Sequence, residues 1–156
     1  GATIRVNGNA VGVAAVSEKG YARIEREWKA GDVVEMDIPM PVERVYSHPA
    51  VRQNAGRVAL RRGPVVFCIE EADNGPDLDA IVLPEDAELR ASFDAGLLGG
   101  CVVVEGIARK EAGTQTGGTL YRLERPAAVG HPVRAIPYCL WANRRPGAML
   151  VWIRER

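Results

Sequence analysis

The chain has 156 residues, with 20 Lys plus Arg against 20 Asp plus Glu and a formal net charge of zero. A protein that grips nucleic acid by neutralising phosphates needs a basic excess, and no basic block here exceeds two residues, so no nucleic-acid partner is expected. The 47% hydrophobic and 26% charged content belongs to a folded domain, and no apolar run approaches the roughly 20 residues that cross a bilayer, so no membrane insertion is expected either.

Turn chemistry is dense, with 17 Gly and 10 Pro spread along the whole length. Thr3-Ile4-Arg5-Val6 alternates and is closed by Asn7-Gly8, a two-residue hairpin signal. A run from Tyr21 to Trp28 follows, and Ala30-Gly31-Asp32 turns the chain. Val34, Met36, Ile38 and Met40 then alternate with Glu35, Asp37 and Pro39, the period of a half-buried antiparallel strand whose carboxylates face solvent. Further extended runs are Val58 to Leu60, Val65 to Ile69, Ala80 to Leu83, Cys101 to Val104, Thr119 to Leu123, Ala135 to Trp141 and Met149 to Ile153. The helix-like window is Glu85 to Leu98, weakened by Ser92, Asp94 and Gly96. Loops are expected over Glu71–Asp77 and Lys110–Gly118.

Nine or ten short strands between Gly/Pro turns predict an all-β fold, an antiparallel β-sandwich or jelly roll. The expected organisation is one domain over residues 1–156, with a candidate sub-boundary near 71–79. The chain starts on a lone glycine without methionine and enters a strand within a few residues, which reads as a piece of a longer protein.

Residues able to carry chemistry are scattered. Cys68, Cys101 and Cys139 lie far apart, each in an apolar stretch, without the close pairs of a zinc site or the even count of a disulfide framework. Buried inert thiols are expected, and reduced cysteines lean toward the cytoplasm, an export signal being a matter for residues upstream. His48 and His131 each precede a proline and read as turn or strand-edge residues. Glu70, Glu71, Asp73, Asp77 and Asp79 form the densest acidic cluster, but lack the ordered spacing of a calcium loop. Glu70, Glu71 and His48 are the nearest raw material for an independent active site. Leu98-Gly99-Gly100 leads into a strand rather than a helix N-terminus, so it does not cradle phosphate. Arg61-Arg62-Gly63-Pro64 and Arg144-Arg145-Pro146-Gly147 read as turns with solvated or ion-paired arginines, Gly147 being placed for a positive φ. Trp28, Trp141 and Trp152 are the candidate flat platforms for sugar rings, weighed against use as core or interface fillers.

Four blocks in order resemble one family. They are Gly20-Tyr21-Ala22-Arg23-Ile24-Glu25-Arg26-Glu27-Trp28-Lys29-Ala30-Gly31-Asp32, Leu60 through Glu70 (Leu-Arg-Arg-Gly-Pro-Val-Val-Phe-Cys-Ile-Glu), Leu97 through Val104, and Ile136-Pro137-Tyr138 with Trp141-Ala142-Asn143-Arg144. Their order and spacing resemble the C-terminal region of glycoside hydrolase family 127, the β-L-arabinofuranosidase type. The resemblance implies a β-sandwich following an (α/α)6 barrel, and a barrel active site with a cysteine nucleophile in a zinc site of one glutamate and three cysteines. This chain has neither the adjacent cysteines nor the Glu-x-Cys of that site, so no catalytic, cofactor or metal residue carries over; zinc is expected in the absent catalytic part and none in this fragment. The implied role is a non-catalytic accessory domain of a glycoside hydrolase. Its expected partners are its own upstream barrel and a second copy of itself, through an exposed apolar patch. The alternative is a carbohydrate-binding module for arabinose-containing glycans.

Overall fold

The computed structural model describes residues 1–111, 121 and 123–156. The chain divides into two compact units, Gly1–Met40 and Pro41–Arg156. The division therefore falls at Met40/Pro41, where the single domain over 1–156 was expected, and residues 71–79 lie inside the larger unit.

In the smaller unit, β1 (Thr3–Val6), β2 (Asn9–Val11), α1 (Val13–Val16), β3 (Ser17–Glu18), β4 (Tyr21–Ala22) and β5 (Val34–Asp37) follow one another. Strands order as β2-β1-β5, all antiparallel. The expected hairpin is present: Asn7 and Gly8 take φ of 52° and 77°, the two positive values that a tight primed turn requires. The extended run expected over Tyr21–Trp28 stops at Ala22. Asp32 fixes the following turn by accepting from the Lys29 amide at 2.9 Å and from Asn7 Nδ2 at 2.8 Å. Ile4 and Val6 are the buried apolar side chains of this unit. All four residues of β5 are exposed, Val34 and Met36 included, where a half-buried strand was expected.

The larger unit begins with β6 (Val42–Val45), β7 (Arg57–Arg62), β8 (Val65–Glu70) and the one-turn α2 (Glu71–Asn74). It continues with β9 (Ile81–Leu83), β10 (Leu89–Asp94), β11 (Cys101–Glu111), β12 (Ala128–Pro137), β13 (Met149–Leu150) and β14 (Ile153–Glu155). The all-β class holds, with fourteen strands among the described residues instead of nine or ten. The pairing runs β7-β8-β12-β11-β9-β14 and returns from β14 to β7, so the two walls of the core are joined at both sides. Every pair is antiparallel except β9 with β14.

Side chains alternate across each strand, so one face of this closed sheet must fill its interior. All six strands of the ring contribute: Val58, Leu60, Phe67, Ile69, Ile81, Leu83, Val104, Ala108, Val133, Ala135 and Ile153 form one buried cluster. The opposite face of β8, β11 and β12 carries a second, smaller cluster of Cys68, Cys101, Val103 and Ile136, with Leu97, Leu140, Met149 and Val151 packed against it. That outer cluster is what the segment after β12 covers.

Several local expectations change. The helix-like window 85–98 contains β10, whose residues pair with Cys101–Gly106 of β11; cross-strand pairing outweighs local propensity there. Glu71–Asn74 is a helical turn where a loop was expected, closed by Gly75 at φ 70°. Ala135–Trp141 leaves the sheet at Pro137 and continues as a 3₁₀ turn over Tyr138–Leu140. The run Met149–Ile153 is broken at Val151–Trp152. Of the expected run 119–123 only Tyr121 and Leu123 are among the described residues, both exposed and neither in a strand. Most of the loop 110–118 lies outside them, while Lys110 and Glu111 still belong to β11. Among the described residues no helix is long and apolar enough to cross a membrane.

Candidate functional site

β8 ends on Glu70, and the chain coils at once into α2. Parity sets Glu70 on the same outer face as Cys68, and it is 6% exposed. A charge so placed has to be paired or it costs several kcal/mol. The partner comes from more than seventy residues later. β13 pairs with the end of β8, Met149 opposite Glu70, and this brings the segment 138–148 over α2.

Arg144 is the pivot of that overlay. Its Nη1 donates to Asp73 Oδ1 at 2.7 Å and its Nη2 to Asp73 Oδ2 at 2.6 Å, a fork-to-fork pair, and Nη2 also donates to Glu70. Glu70 Oε1 accepts the Ala142 amide at 2.8 Å. The Glu71 amide donates to the Ala148 carbonyl at 2.9 Å, and the Ala148 amide donates to Glu71 Oε2 at 2.9 Å. Side-chain hydrogen bonds to Asp73 and Glu70 hold the Arg144 guanidinium well above its ordinary pKa against the opposing effect of burial. Gly147 does not take the positive φ expected of it; a Cβ there would lie 3.2 Å from Glu71 Cβ, so closeness to α2 is what calls for glycine. The positive φ of this segment belongs instead to Ala142, at 60°.

Asn74 completes the cluster from below. It is buried, donates to the carbonyls of Glu70 and Arg134 at 2.9 Å each, and accepts the Arg134 amide at 2.9 Å. Arg134 itself donates to Asp94. That hydrogen bond, with one from the Gly96 amide, holds the Asp94 carboxyl below its usual range. Arg154 does the same for Glu111, donating at 2.6 Å.

Beside this clamp of Arg144 on Glu70 and Asp73, the segment 138–148, a strap over α2, presents aromatics. Tyr138 and Trp141 are 44% and 40% exposed, and their rings lie 6.5 Å apart at an interplanar angle of 22°. Beside Trp141 is a cleft of about 200 Å³, lined by Glu70, Ala72, Trp141, Ala142, Arg145, Gly147 and neighbouring Pro146 and Ala148. The other two candidate platforms stand differently. Trp28, 48% exposed, has the Arg26 guanidinium 5.1 Å over its ring. Trp152 is half-buried, its carbonyl accepting from Arg57 at 2.9 Å.

The remaining candidates are not brought together. His48 is exposed, and its Nδ1 accepts the Ala50 amide at 3.2 Å, the geometry of a turn residue. His131 is half-buried opposite Ala108, its pKa lowered first by burial and then by the charge of Lys110. Cys68 and Cys101 are buried as expected, and Cys139 is exposed, a correction that follows from the chain leaving the sheet two residues before it. Burial pushes the Cys68 thiol up to about 12, so it is a poor thiolate and a poor zinc ligand. Among the described residues no three His, Cys, Asp or Glu side chains are placed to hold a metal ion. The donors present therefore do not fit the zinc site that the resemblance implies for a catalytic domain.

Comparison with known proteins gives these residues a setting. The profile described as the glycoside hydrolase family 127 C-terminal domain matches residues 42–154, and that described as the β-L-arabinofuranosidase GH127 middle domain matches residues 1–40, a change at the division between the two units. A non-reducing end β-L-arabinofuranosidase of Bifidobacterium longum subsp. longum is 37% identical over 81% of this chain and 20% of its own length. The crystal structure of a GH127 β-L-arabinofuranosidase from Geobacillus stearothermophilus T6 superposes with a TM-score of 0.91 at 49% identity, over 100% of this chain and 25% of that one. A second solved GH127 β-arabinofuranosidase gives 0.85 at 30% identity, over 100% and 23%. The chain thus spans about a quarter or less of the length of these relatives.

Proposed function

The chain belongs to glycoside hydrolase family 127, and from that premise we propose that it is a non-catalytic accessory region of a glycoside hydrolase, one that supports a hydrolytic centre built from other residues of the longer protein. The observation that carries the proposal is the state of carboxylates that the fold draws out of full exposure. Glycoside hydrolysis needs an acid whose proton is held up and a second carboxylate free to act on the sugar. Here Glu70 and Asp73 are spent on Arg144, Glu155 on Arg44 and Glu111 on Arg154. Asp94 and Glu111 are moved toward stronger acidity by their arginines, the direction opposite to that of a general acid.

The smaller unit adds support of a different kind. It buries Ile4 and Val6 and leaves Val34, Met36, Ile38 and Trp28 exposed. Forty residues with so little core need cover from more protein. The middle-domain match over residues 1–40 makes the rest of that domain the natural cover, and a second copy of the chain is the competing one.

The test is enzymatic. The purified chain should not hydrolyse aryl or alkyl β-L-arabinofuranosides, with or without added zinc. Turnover that survives repurification and is abolished by Glu70→Gln or Asp73→Asn, in variants whose circular dichroism is unchanged, would overturn the proposal.

A further inference from the structure

Tyr138 and Trp141 are exposed in a segment that is otherwise pinned down. The Trp141 amide donates to the Tyr138 carbonyl at 3.2 Å, the Ala142 amide donates to Glu70, and Asn143 Nδ2 donates to the carbonyls of Leu140 and Trp141 at 3.1 and 3.3 Å. Two large apolar rings held in water by a rigid backbone are a pre-organised contact surface, because the entropy of ordering them is lost on folding and not on binding. The two rings are stacked, 6.5 Å between centroids and 22° between planes, so Tyr138 braces Trp141 and restricts its rotation.

The polar groups next to them select among ligands. Arg145 is exposed, and one nitrogen of its guanidinium makes long contacts of 3.3 and 3.4 Å to the carbonyls of Glu71 and Ala72. A guanidinium has five N–H donors, so Arg145 keeps donors for hydroxyl oxygens. Around the cleft three carboxylates, Glu70, Glu71 and Asp73, stand against two guanidinium groups, Arg144 and Arg145, and the net negative charge disfavours an anion. The volume of about 200 Å³ lies below the roughly 300–1,000 Å³ of sites that enclose a drug-sized ligand, which leaves room for one small ring. A ligand with one apolar C–H face, several hydroxyls, no charge and the size of one ring is a neutral monosaccharide unit of a glycan.

We propose that Trp141, braced by Tyr138, and Arg145 form a subsite for one neutral sugar residue, its C–H face on Trp141 and its hydroxyls toward Arg145. The subsite stands independently of the accessory role, since support of a catalytic region does not require the chain to bind sugar. The probes are methyl L-arabinofuranoside, a neutral arabino-oligosaccharide and galacturonic acid, followed by saturation-transfer NMR and by tryptophan fluorescence on the intact chain. The neutral sugars should give a saturable response in the millimolar range and galacturonic acid none. Trp141→Ala should weaken the response by roughly tenfold or more, the factor that about 1.4 kcal/mol of lost contact produces. Arg145→Gln should weaken it as well, while Trp28→Ala leaves it unchanged. Trp141→Phe keeps a flat ring and guards against loss of fold, so it should retain most of the response. Absence of a saturable response, or one that persists in both Trp141→Ala and Arg145→Gln, overturns the subsite. So does a Trp141→Ala variant that only lowers the melting temperature of a chain indifferent to sugar, which would make the aromatic pair a packing surface.

Discussion

Arg144→Met isolates the clamp. The substitution keeps an unbranched apolar stem and removes the guanidinium, and with it two bonds to Asp73 and one to Glu70. Left behind are two carboxylates with side-chain exposures of 7% and 11%, facing each other with no cation between them. Exposed ion pairs are worth about 0–1 kcal/mol, whereas removing one partner of a buried pair costs about 3–5 kcal/mol because the other charge stays desolvated. Arg144 itself is 20% exposed, which allows some water to reach the orphaned oxygens. The expected loss is therefore at the lower end of the buried range, about 3 kcal/mol. Urea denaturation followed by far-ultraviolet circular dichroism measures it, and the triple variant Arg144→Met, Glu70→Gln, Asp73→Asn should recover most of the loss by neutralising what was stranded. A single-variant loss below about 1 kcal/mol with an unchanged denaturant slope, or a triple variant no better than the single one, refutes the idea that stranded charge is what the guanidinium prevents.

Four other outcomes follow from the same geometry. The Cys68 thiol is held up from 9.0 to about 12, so the folded chain keeps a proton that the unfolded chain releases; stability is full below pH 9 and falls as pH rises toward 12, by roughly 1.4 kcal/mol per unit. Mass spectrometry after brief native alkylation should accordingly find the label on Cys139, with Cys68 labelled only after unfolding. Asn74→Ala strips partners from two carbonyls and one amide at a buried position, and equilibrium unfolding should show a loss of about 2 kcal/mol or more. Gly106→Ala places a Cβ 2.8 Å from the Glu88 carbonyl oxygen in the β10–β11 pair, so its melting curve should show destabilisation of about 1–3 kcal/mol.

Features governed by neighbours in the chain were legible from the residues themselves. The Asn7-Gly8 hairpin is one, since two consecutive positive φ values leave few alternatives. The strand Val65–Ile69 is another, its apolar run ending in Phe67, Cys68 and Ile69, which are buried on both faces. Features governed by distant pairing were not. Leu89 and Ala91 favour a helix, and only the register of Arg90 with Glu105 and of Phe93 with Val102 makes that segment a strand. Ring closure rests on short contacts of β14 with Val58 and Val82, which no periodicity announces. The clamp lies between these cases. Opposite charges at 70–73 and 144–145 are a usable signal, but turn chemistry explains Arg-Arg-Pro-Gly equally well until β13 is laid against β8.

Clamp and aromatic pair should behave as one mechanical unit. The amide accepted by Glu70 belongs to Ala142, one residue from Trp141 and held at a positive φ that a free alanine avoids. That conformation persists because Glu70 and Arg144 over-determine it, so loosening the clamp lets Ala142 relax and carries the Trp141 ring with it. Near-ultraviolet circular dichroism reads ring immobilisation directly: Arg144→Met should diminish the tryptophan and tyrosine bands at a urea concentration where the far-ultraviolet signal is still native. Ala142→Gly, which accepts the same φ without strain, should leave those bands intact in the presence of Arg144. If Arg144→Met unfolds the chain in one step with both signals moving together, the strap has no independent looseness, and the positions of the two rings are set by the outer core under Leu140 and Ile136 and not by the arginine.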